Sequence, residues 1–290
     1  MRKNRAYLLG LLPVLILVIV QIASSIAVTG WGMAWFLNVA DVKKGDSFFV
    51  QFSDFINNSG IMDYVYLLYS FLGLLIMGLW IRSLKKKGSL GVSFKIQALR
   101  GGMVPLLILL AVSLQLVTDY VMQLSMVLLP EAGEKYSKLM EDAHLAGGQT
   151  SMIMIVYACV LGPILEELAF RGITFRYARM SFNFWIANIF QAVLFGAFHM
   201  NVIQGIYAGL LGLVLGYLFE KSGNLTICIL VHMFFNSLSG MISMVLGYTY
   251  EIPILFGAVL LVSMIATYFC LYMFTKMVSS WKGSNVDTTV

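Results

Sequence analysis

The residues best suited to chemistry are ionisable and amide side chains that lie inside apolar stretches of the second half of the chain. They are Glu166, Glu167 and Arg171 in one stretch, His199 in the next, and His232 and Asn236 in a third. Ionisable groups are costly inside a bilayer, so those present there usually serve a function. A glutamate, two histidines and an asparagine on three apolar segments suggest a site that activates water inside a membrane.

The first stretch, Glu166-Glu167-Leu168-Ala169-Phe170-Arg171, follows Gly162-Pro163. On a helix, Glu167 and Arg171 stand at i,i+4 and can form an ion pair. Glu166 lies about 100° around the helix from Glu167. One carboxylate can therefore neutralise the arginine while the other faces a pocket. In the alternative interpretation, the stretch is a cytoplasmic helix end with all three charges solvated.

The other two motifs place polar groups at helical spacing. His232 and Asn236 are four residues apart, on one helix face, where both could hold a single oxygen atom. Hydrogen bonding between helices is the alternative role for this pair. Phe195 precedes His199 by one helical turn and can shield it, although a lone histidine near a helix end is often solvated.

The composition indicates the solvent that surrounds these motifs. Only 11% of the 290 residues are charged and 60% are hydrophobic, whereas soluble domains carry about 25% charged residues. We therefore predict an all-α, polytopic transmembrane helical bundle of about eight spans. The predicted spans are 7–29, 62–82, 102–129, 151–171, 183–200, 202–219, 224–247 and 252–275.

The net charge of +5 follows the rule that basic residues stay on the cytoplasmic side. With the N-terminus inside, 15 of the 19 lysines and arginines fall in inner segments. This asymmetry predicts eight spans with both termini cytoplasmic. The expected location of this multi-pass protein is the plasma membrane. No soluble domain is predicted that could carry a basic face, so nucleic acid is excluded as a partner. The lipid bilayer is the expected surrounding.

Taken in order, EExxxR, FxxxH and HxxxN resemble the signature of the CAAX protease and bacteriocin-processing family, also called Abi, which includes the type II CAAX prenyl proteases. All three motifs are intact, and Gly172 and the glycines at 209, 212 and 216 fit as well. The resemblance covers about residues 152–246. It divides the chain into scaffold helices at 1–148, a protease core at 149–250, and a final span with a polar tail at 251–290.

The resemblance implies an intramembrane endopeptidase whose motif helices line a conical cavity. Glu166 and His199 would activate a water, and His232 and Asn236 would hold the oxyanion of the tetrahedral intermediate. Glu167 and Arg171 would be supporting residues. The expected partner is a peptide or protein substrate in or at the membrane, either a CAAX-type protein or a peptide or bacteriocin precursor.

Three alternatives stay open from the sequence. No cofactor is expected, but Glu166, His199 and His232 could bind zinc, since catalytic zinc usually takes three protein ligands. Against zinc, the chain has no HExxH pair, and Asn236 is a better hydrogen-bond donor than metal ligand. The other two are a non-catalytic membrane immunity or interaction protein of the same fold, and a proton-coupled transporter. An inverted repeat would favour the transporter, and none is evident.

The predicted spans contain one conflict. Glu166 lies near the cytoplasmic end of its span, whereas His199 lies near the outer end of the next. The two must meet if they share one water. We therefore expect the fourth helix to run on past Arg171, which would place Glu166 deeper in the membrane.

Overall fold

The computed structural model describes residues 5–39, 47–86, 93–99, 101–142 and 150–284. Part of the basic N-terminus, part of the predicted outer loops and the last residues of the polar tail lie outside this range. Ten helices make up most of the described chain. They are α1 (Tyr7–Val39), α2 (Phe48–Asn58), α3 (Asp63–Lys86), α4 (Met103–Leu128), α5 (Pro130–Asp142), α6 (Met152–Ser181), α7 (Phe184–Phe198), α8 (Val202–Ser222), α9 (Leu225–Leu246) and α10 (Pro253–Ser284).

The protein is an integral, multi-pass membrane protein, as the composition predicts. In the described part of the chain, six helices are long and apolar enough to cross a membrane: α1, α3, α4, α6, α8 and α10. Phe184–Phe198 and Leu225–Ser239 are shorter apolar helices. Each of the eight predicted spans therefore corresponds to an apolar helix, and the predicted all-α bundle is confirmed.

The fourth predicted span, 151–171, ends too early. The helix α6 continues through Arg171 to Ser181, so the expectation of a longer fourth helix is confirmed. It starts at Ser151, whose hydroxyl accepts a hydrogen bond from the Met154 N–H. It ends where Asn183 caps the next helix, by accepting from the Ile186 N–H. Glu166 consequently lies in the middle of a 30-residue helix.

Two helices lie between the spans. In α2, Phe48, Phe52 and Phe55 pack around Phe36 near the end of α1. The helix α5 occupies much of the segment between the third and fourth predicted spans, 130–150. It begins at Pro130, a residue that favours the first turn of a helix. Its lysines are exposed, whereas one face packs on the bundle.

Small residues bring α7 and α8 together at short range. A Cβ atom on Gly196 would collide with the carbonyl oxygen of Gly205. One on Gly212 would lie 3.2 Å from the Cα of Ala192, and one on Gly216 would collide with the Asn188 side chain. Glycine removes the side chain that would hold the two helix backbones apart. These contacts fix the position of the residues at the end of α7.

The bundle has two chemically different ends. At the first, Arg179 of α6 pairs with Glu220 of α8 at 2.8 Å, and Asn224 donates to the Lys95 carbonyl. We call this the basic end, because most lysines and arginines of the described chain lie there. At the opposite or far end, α5 covers the bundle and Tyr120 bonds to Thr249.

Candidate active site

A cavity of about 560 Å³ lies between α4, α6, α7, α8 and α9, with α5 at its far end. Glu166, His199, His232 and Asn236 all line it. The structure therefore brings together the four residues that the sequence predicts to be catalytic, from three separate motifs. Glu167 and Arg171, predicted to be supporting residues, lie behind the cavity wall and do not line it.

Glu167 joins Arg171 to His232. Its Oε1 atom accepts from Arg171 Nη1 at 2.7 Å and from His232 Nδ1 at 2.9 Å. The carboxylate and the guanidinium are both 0% exposed. The i,i+4 pair predicted from the spacing is therefore present, and the alternative with three solvated charges is wrong. A buried, charge-assisted hydrogen bond of this kind holds the imidazole ring in one orientation.

Two further contacts stabilise the buried guanidinium of Arg171. Its Nη2 atom donates to the Gly212 carbonyl at 3.3 Å. Its central carbon lies 4.5 Å from the centroid of the Phe195 ring, within the range of a cation–π interaction. Because α6, α7 and α8 each contribute a group, Arg171 ties the three helices together at the depth of the site.

Glu166 faces the cavity, and His232 is beside it. Glu166 Oε2 lies 3.7 Å from His232 Nε2, and the Glu166 side chain is 14% exposed. A carboxylate only accepts hydrogen bonds, so Nδ1 of His232 is the donor to Glu167 and Nε2 is turned towards Glu166. The ion-pair contact of Glu166 is thus with His232, whereas the sequence pairs it with His199 for water activation.

His199 follows the last residue of α7. A contact with a backbone carbonyl shows which of its two ring nitrogens can face the cavity. Nδ1 lies 2.8 Å from the Phe195 carbonyl oxygen, which can only accept, so Nδ1 carries a proton. In the neutral ring, Nε2 is then a hydrogen-bond acceptor. The Phe195 ring meets the rings of His199 and His232 edge to face, at 5.2 and 5.7 Å, so it shields both.

The side chain of Asn236 is oriented by a backbone irregularity in α6. The residues Tyr157–Leu161 form a π-helical turn, in which the Gly162 N–H bonds to the Tyr157 carbonyl. The next N–H in that pattern would bond to Ala158, but it belongs to Pro163, which has none. The Ala158 carbonyl instead accepts from Asn236 Nδ2 at 2.8 Å. The second N–H of Asn236 remains for another acceptor.

Buried amides support the site from α7. Gln191 Nε2 donates to the Gly212 carbonyl and to Asn188 Oδ1, both at 2.8 Å. Asn188 Nδ2 donates to the Leu213 carbonyl at 3.0 Å. Sequence reasoning missed these two residues. They are amides in the middle of an apolar span, which is the signal that could have identified them.

Sequence reasoning also missed part of the cavity wall. Residues of the segment 1–148, predicted to be scaffold, line the cavity beside the motif residues. They include Gln115, Asp119 and Tyr136. Asp119 could have been found, because an acidic residue in the middle of a predicted span is a functional candidate by default.

A catalytic metal such as zinc usually takes three side-chain ligands that lie close together. Within the described residues, no three His, Cys, Asp or Glu side chains are grouped closely enough to hold one. The Nδ1 atoms of both site histidines are engaged by the protein, which leaves one ring nitrogen each for the cavity. Metal dependence stays a prediction to be measured.

A second, larger groove of about 780 Å³ lies on the outside of α7 and α8. Apolar residues such as Ile189, Val193 and Leu213 line it, and none of the motif residues does. Chemistry on a peptide bond needs the polar groups of the inner cavity, so we place the candidate site there.

The described helices thus form an apolar bundle around a cavity lined by a glutamate, two histidines and an asparagine. Residues 148–238 match the family described as type II CAAX prenyl endopeptidase Rce1-like. This match confirms, over those residues, the resemblance seen in the motifs. At the level of the family, the similarity is to membrane CAAX-type proteases.

A relative in Bacillus subtilis strain 168 is named "Putative membrane peptidase YdiL". It is 28% identical over 89 residues, which are 31% of this chain and 36% of the relative. The chain thus matches about a third of that relative's length. No solved structure matches the chain.

Proposed function

We propose that the protein is an intramembrane endopeptidase in which Glu166 activates the attacking water. The observation that carries the proposal is the cavity shared by Glu166, His199, His232 and Asn236. A peptide bond needs a base for water, donors for the oxyanion and a proton for the leaving amine. These four side chains can supply all of them.

The reaction proceeds in two steps. Glu166 takes a proton from a water that His199 orients through Nε2, and the water oxygen bonds to the substrate carbonyl carbon. The carbonyl oxygen becomes an oxyanion, to which Asn236 donates its second N–H and His232 donates Nε2–H when the ring carries both protons. The C–N bond then breaks, and the amine leaves with the proton held by Glu166.

The substrate we propose is a peptide or protein segment at the membrane, and both CAAX-type tails and peptide precursors belong to this class. The family match supports peptide-bond hydrolysis at the membrane. The cavity of about 560 Å³ lies within the usual size range of ligand sites, about 300–1,000 Å³.

The test compares Glu166→Gln with wild type in expressing cells, with peptides from membranes and medium identified by mass spectrometry. Loss of the base should lower turnover about 10²–10⁴-fold, so peptides cut by the wild type should disappear. The exposed Glu134 of α5 gives a matched control, since Glu134→Gln makes the same change outside the cavity. Identical peptide profiles in all three strains would instead indicate a non-catalytic interaction protein.

Two measurements on purified protein separate the remaining alternatives. We expect activity to survive prolonged chelation and elemental analysis to find less than one zinc per chain. Stoichiometric zinc, with activity lost on removal and regained on return, would make Glu166 a ligand rather than the base. Proton uptake into liposomes without any cleavage would indicate a transporter.

A further inference from the structure

The wall of the cavity formed by α4 carries two acceptor groups that the proposed reaction does not use. Gln115 and Asp119 lie one helical turn apart, are 4% and 5% exposed, and both line the cavity. Gln115 Nε2 donates to Asp119 Oδ1 at 3.1 Å, and Tyr250 donates to Asp119 Oδ2 at 3.4 Å. We call Gln115 and Asp119 the acidic wall.

The amide of Gln115 leaves one polar atom open. A carboxylate cannot donate, so the amide nitrogen must be the atom that faces Asp119, and the assignment of Oε1 follows. Gln115 Oε1 is buried and has no hydrogen-bond partner in the described part of the chain. A buried acceptor without a donor costs about 1–3 kcal/mol. A ligand that donates a hydrogen bond here would recover that cost.

The charge of the cavity lining indicates which kind of hydrogen-bond donor a ligand should carry. Its described lining residues include two carboxylates, Asp119 and Glu166, and no lysine or arginine. Arg171 lies behind the wall, where Glu167 neutralises it. At the far end, burial and the Asp119 carboxylate raise the pKa of Tyr136, while its hydrogen bond with Tyr207 lowers it. A cationic donor therefore fits the acidic wall better than a neutral one.

We propose that Gln115 and Asp119 form a subsite that binds a lysine or arginine side chain of the peptide substrate. Such a side chain brings several donors and one positive charge, which match the unpaired amide oxygen of Gln115 and the carboxylate of Asp119. The proposal rests on the proposed peptidase function, since it names a side chain of that enzyme's substrate. It makes Asp119 a determinant of specificity, separate from the water-activating groups.

The first test measures binding without turnover. The probes are short apolar peptides with one arginine, or one glutamine, placed at each position in turn, and the protein carries Glu166→Gln. We expect the arginine peptide to bind about 10- to 100-fold more tightly at one position. Adding Asp119→Asn should remove this difference and leave glutamine peptides unchanged. Adding Glu134→Gln, an exposed acid of α5, should preserve it.

Two results would overturn the subsite: equal binding of arginine and glutamine peptides at every position, or a preference that survives Asp119→Asn. If Asp119→Asn fails to fold, Gln115→Met serves instead, because it removes Oε1 at similar size and should weaken only arginine peptides. Turnover by the otherwise unmodified enzyme separates the two proposals. Cleavage without a basic preference disproves the subsite alone, whereas preferential binding without any cleavage disproves the peptidase.

Discussion

Glu166 and Glu167 are neighbours in the chain with different surroundings, since successive helix residues point about 100° apart. Glu167 points away from the cavity and accepts from Arg171 and His232. Glu166 points into it, 3.7 Å from His232 Nε2. His232 therefore stands between two carboxylates, one that orients the ring and one that we propose reacts with water. Glu167 therefore has a structural role, and we propose a chemical role for its neighbour Glu166.

Replacing the buried Arg171 tests the structural role of Glu167. Arg171→Ala leaves Glu167 as a buried charge without its main partner, at an expected cost of about 3–5 kcal/mol in stability. Thermal unfolding in detergent should show a clear loss. Arg179→Ala is the matched control on the same helix, because its ion pair with Glu220 is about one-third exposed and should contribute about 0–1 kcal/mol. Unchanged stability with lost turnover in Arg171→Ala would instead make Arg171 a substrate-binding residue.

Replacing Asn236 tests the proposed contact with the oxyanion. Asn236→Ala removes the amide that we expect to donate to the oxyanion, so kcat should fall about 10²–10³-fold with little change in KM. The control is Asn58→Ala, which removes an exposed amide of α2 that donates to the backbone carbonyl of Asp54. A rise in KM at constant kcat would show that Asn236 binds the ground state, and would contradict the oxyanion role.

At the scale of the helices, the approach of α7 to α8 sets the position of His199. The chain turns sharply after this histidine, where Met200 has a left-handed φ of 56° and Asn201 caps α8. Gly196 is three residues before His199 and packs on the backbone of Gly205. A side chain at Gly196 must therefore push apart the two helices and displace the imidazole.

Gly196→Ala should cost about 1–3 kcal/mol in stability through overpacking and should lower activity as well. Gly78→Ala in α3 provides the control, because a Cβ atom there meets nothing within 4 Å. It should be neutral or stabilising by up to about 1 kcal/mol. Thermal unfolding and peptide cleavage of the two variants check both statements. Equal behaviour would mean that the α7–α8 contact does not position His199.

The sequence was enough to predict the helical bundle, because that depends on apolar length and helical spacing. The meeting of the three motifs was expected from the family resemblance, since the predicted spans placed Glu166 and His199 near opposite ends. The sequence could not show that Ala158 supplies the acceptor for Asn236, since that depends on a π-helical turn and on the missing N–H of Pro163. Nor could it place Asp119 in the same cavity, because that contact joins helices far apart in the chain. Tertiary packing decides such contacts, so they cannot be predicted from local sequence patterns.

At the scale of the whole molecule, the cavity and the basic end lie at different depths. The lining includes Tyr136 of α5, His199 after α7 and Tyr207 early in α8, all from the far half of the bundle. If basic residues mark the cytoplasmic side, the far end faces away from the cytoplasm. This orientation is a prediction from charge and awaits measurement.

Labelling of single introduced cysteines in intact cells checks it. The exposed residues Lys138 of α5 and Ser280 of α10 lie at opposite ends. A membrane-impermeant maleimide should label Lys138→Cys in intact cells, and Ser280→Cys only after permeabilisation. The unmodified chain, with Cys159, Cys228 and Cys270, gives the background. Labelling of both positions from the same side would contradict the eight-span topology.

If the proposed peptidase function and the orientation predicted from charge both hold, the position of the cavity in the far half determines when a substrate is cut. A precursor made in the cytoplasm would stay intact until its scissile segment had passed the greater part of the bilayer. Processing would then follow export, and the enzyme would distinguish exported copies from those still inside. Cells in which export of the precursor is blocked should accumulate the uncut form, even when the protease itself is fully active.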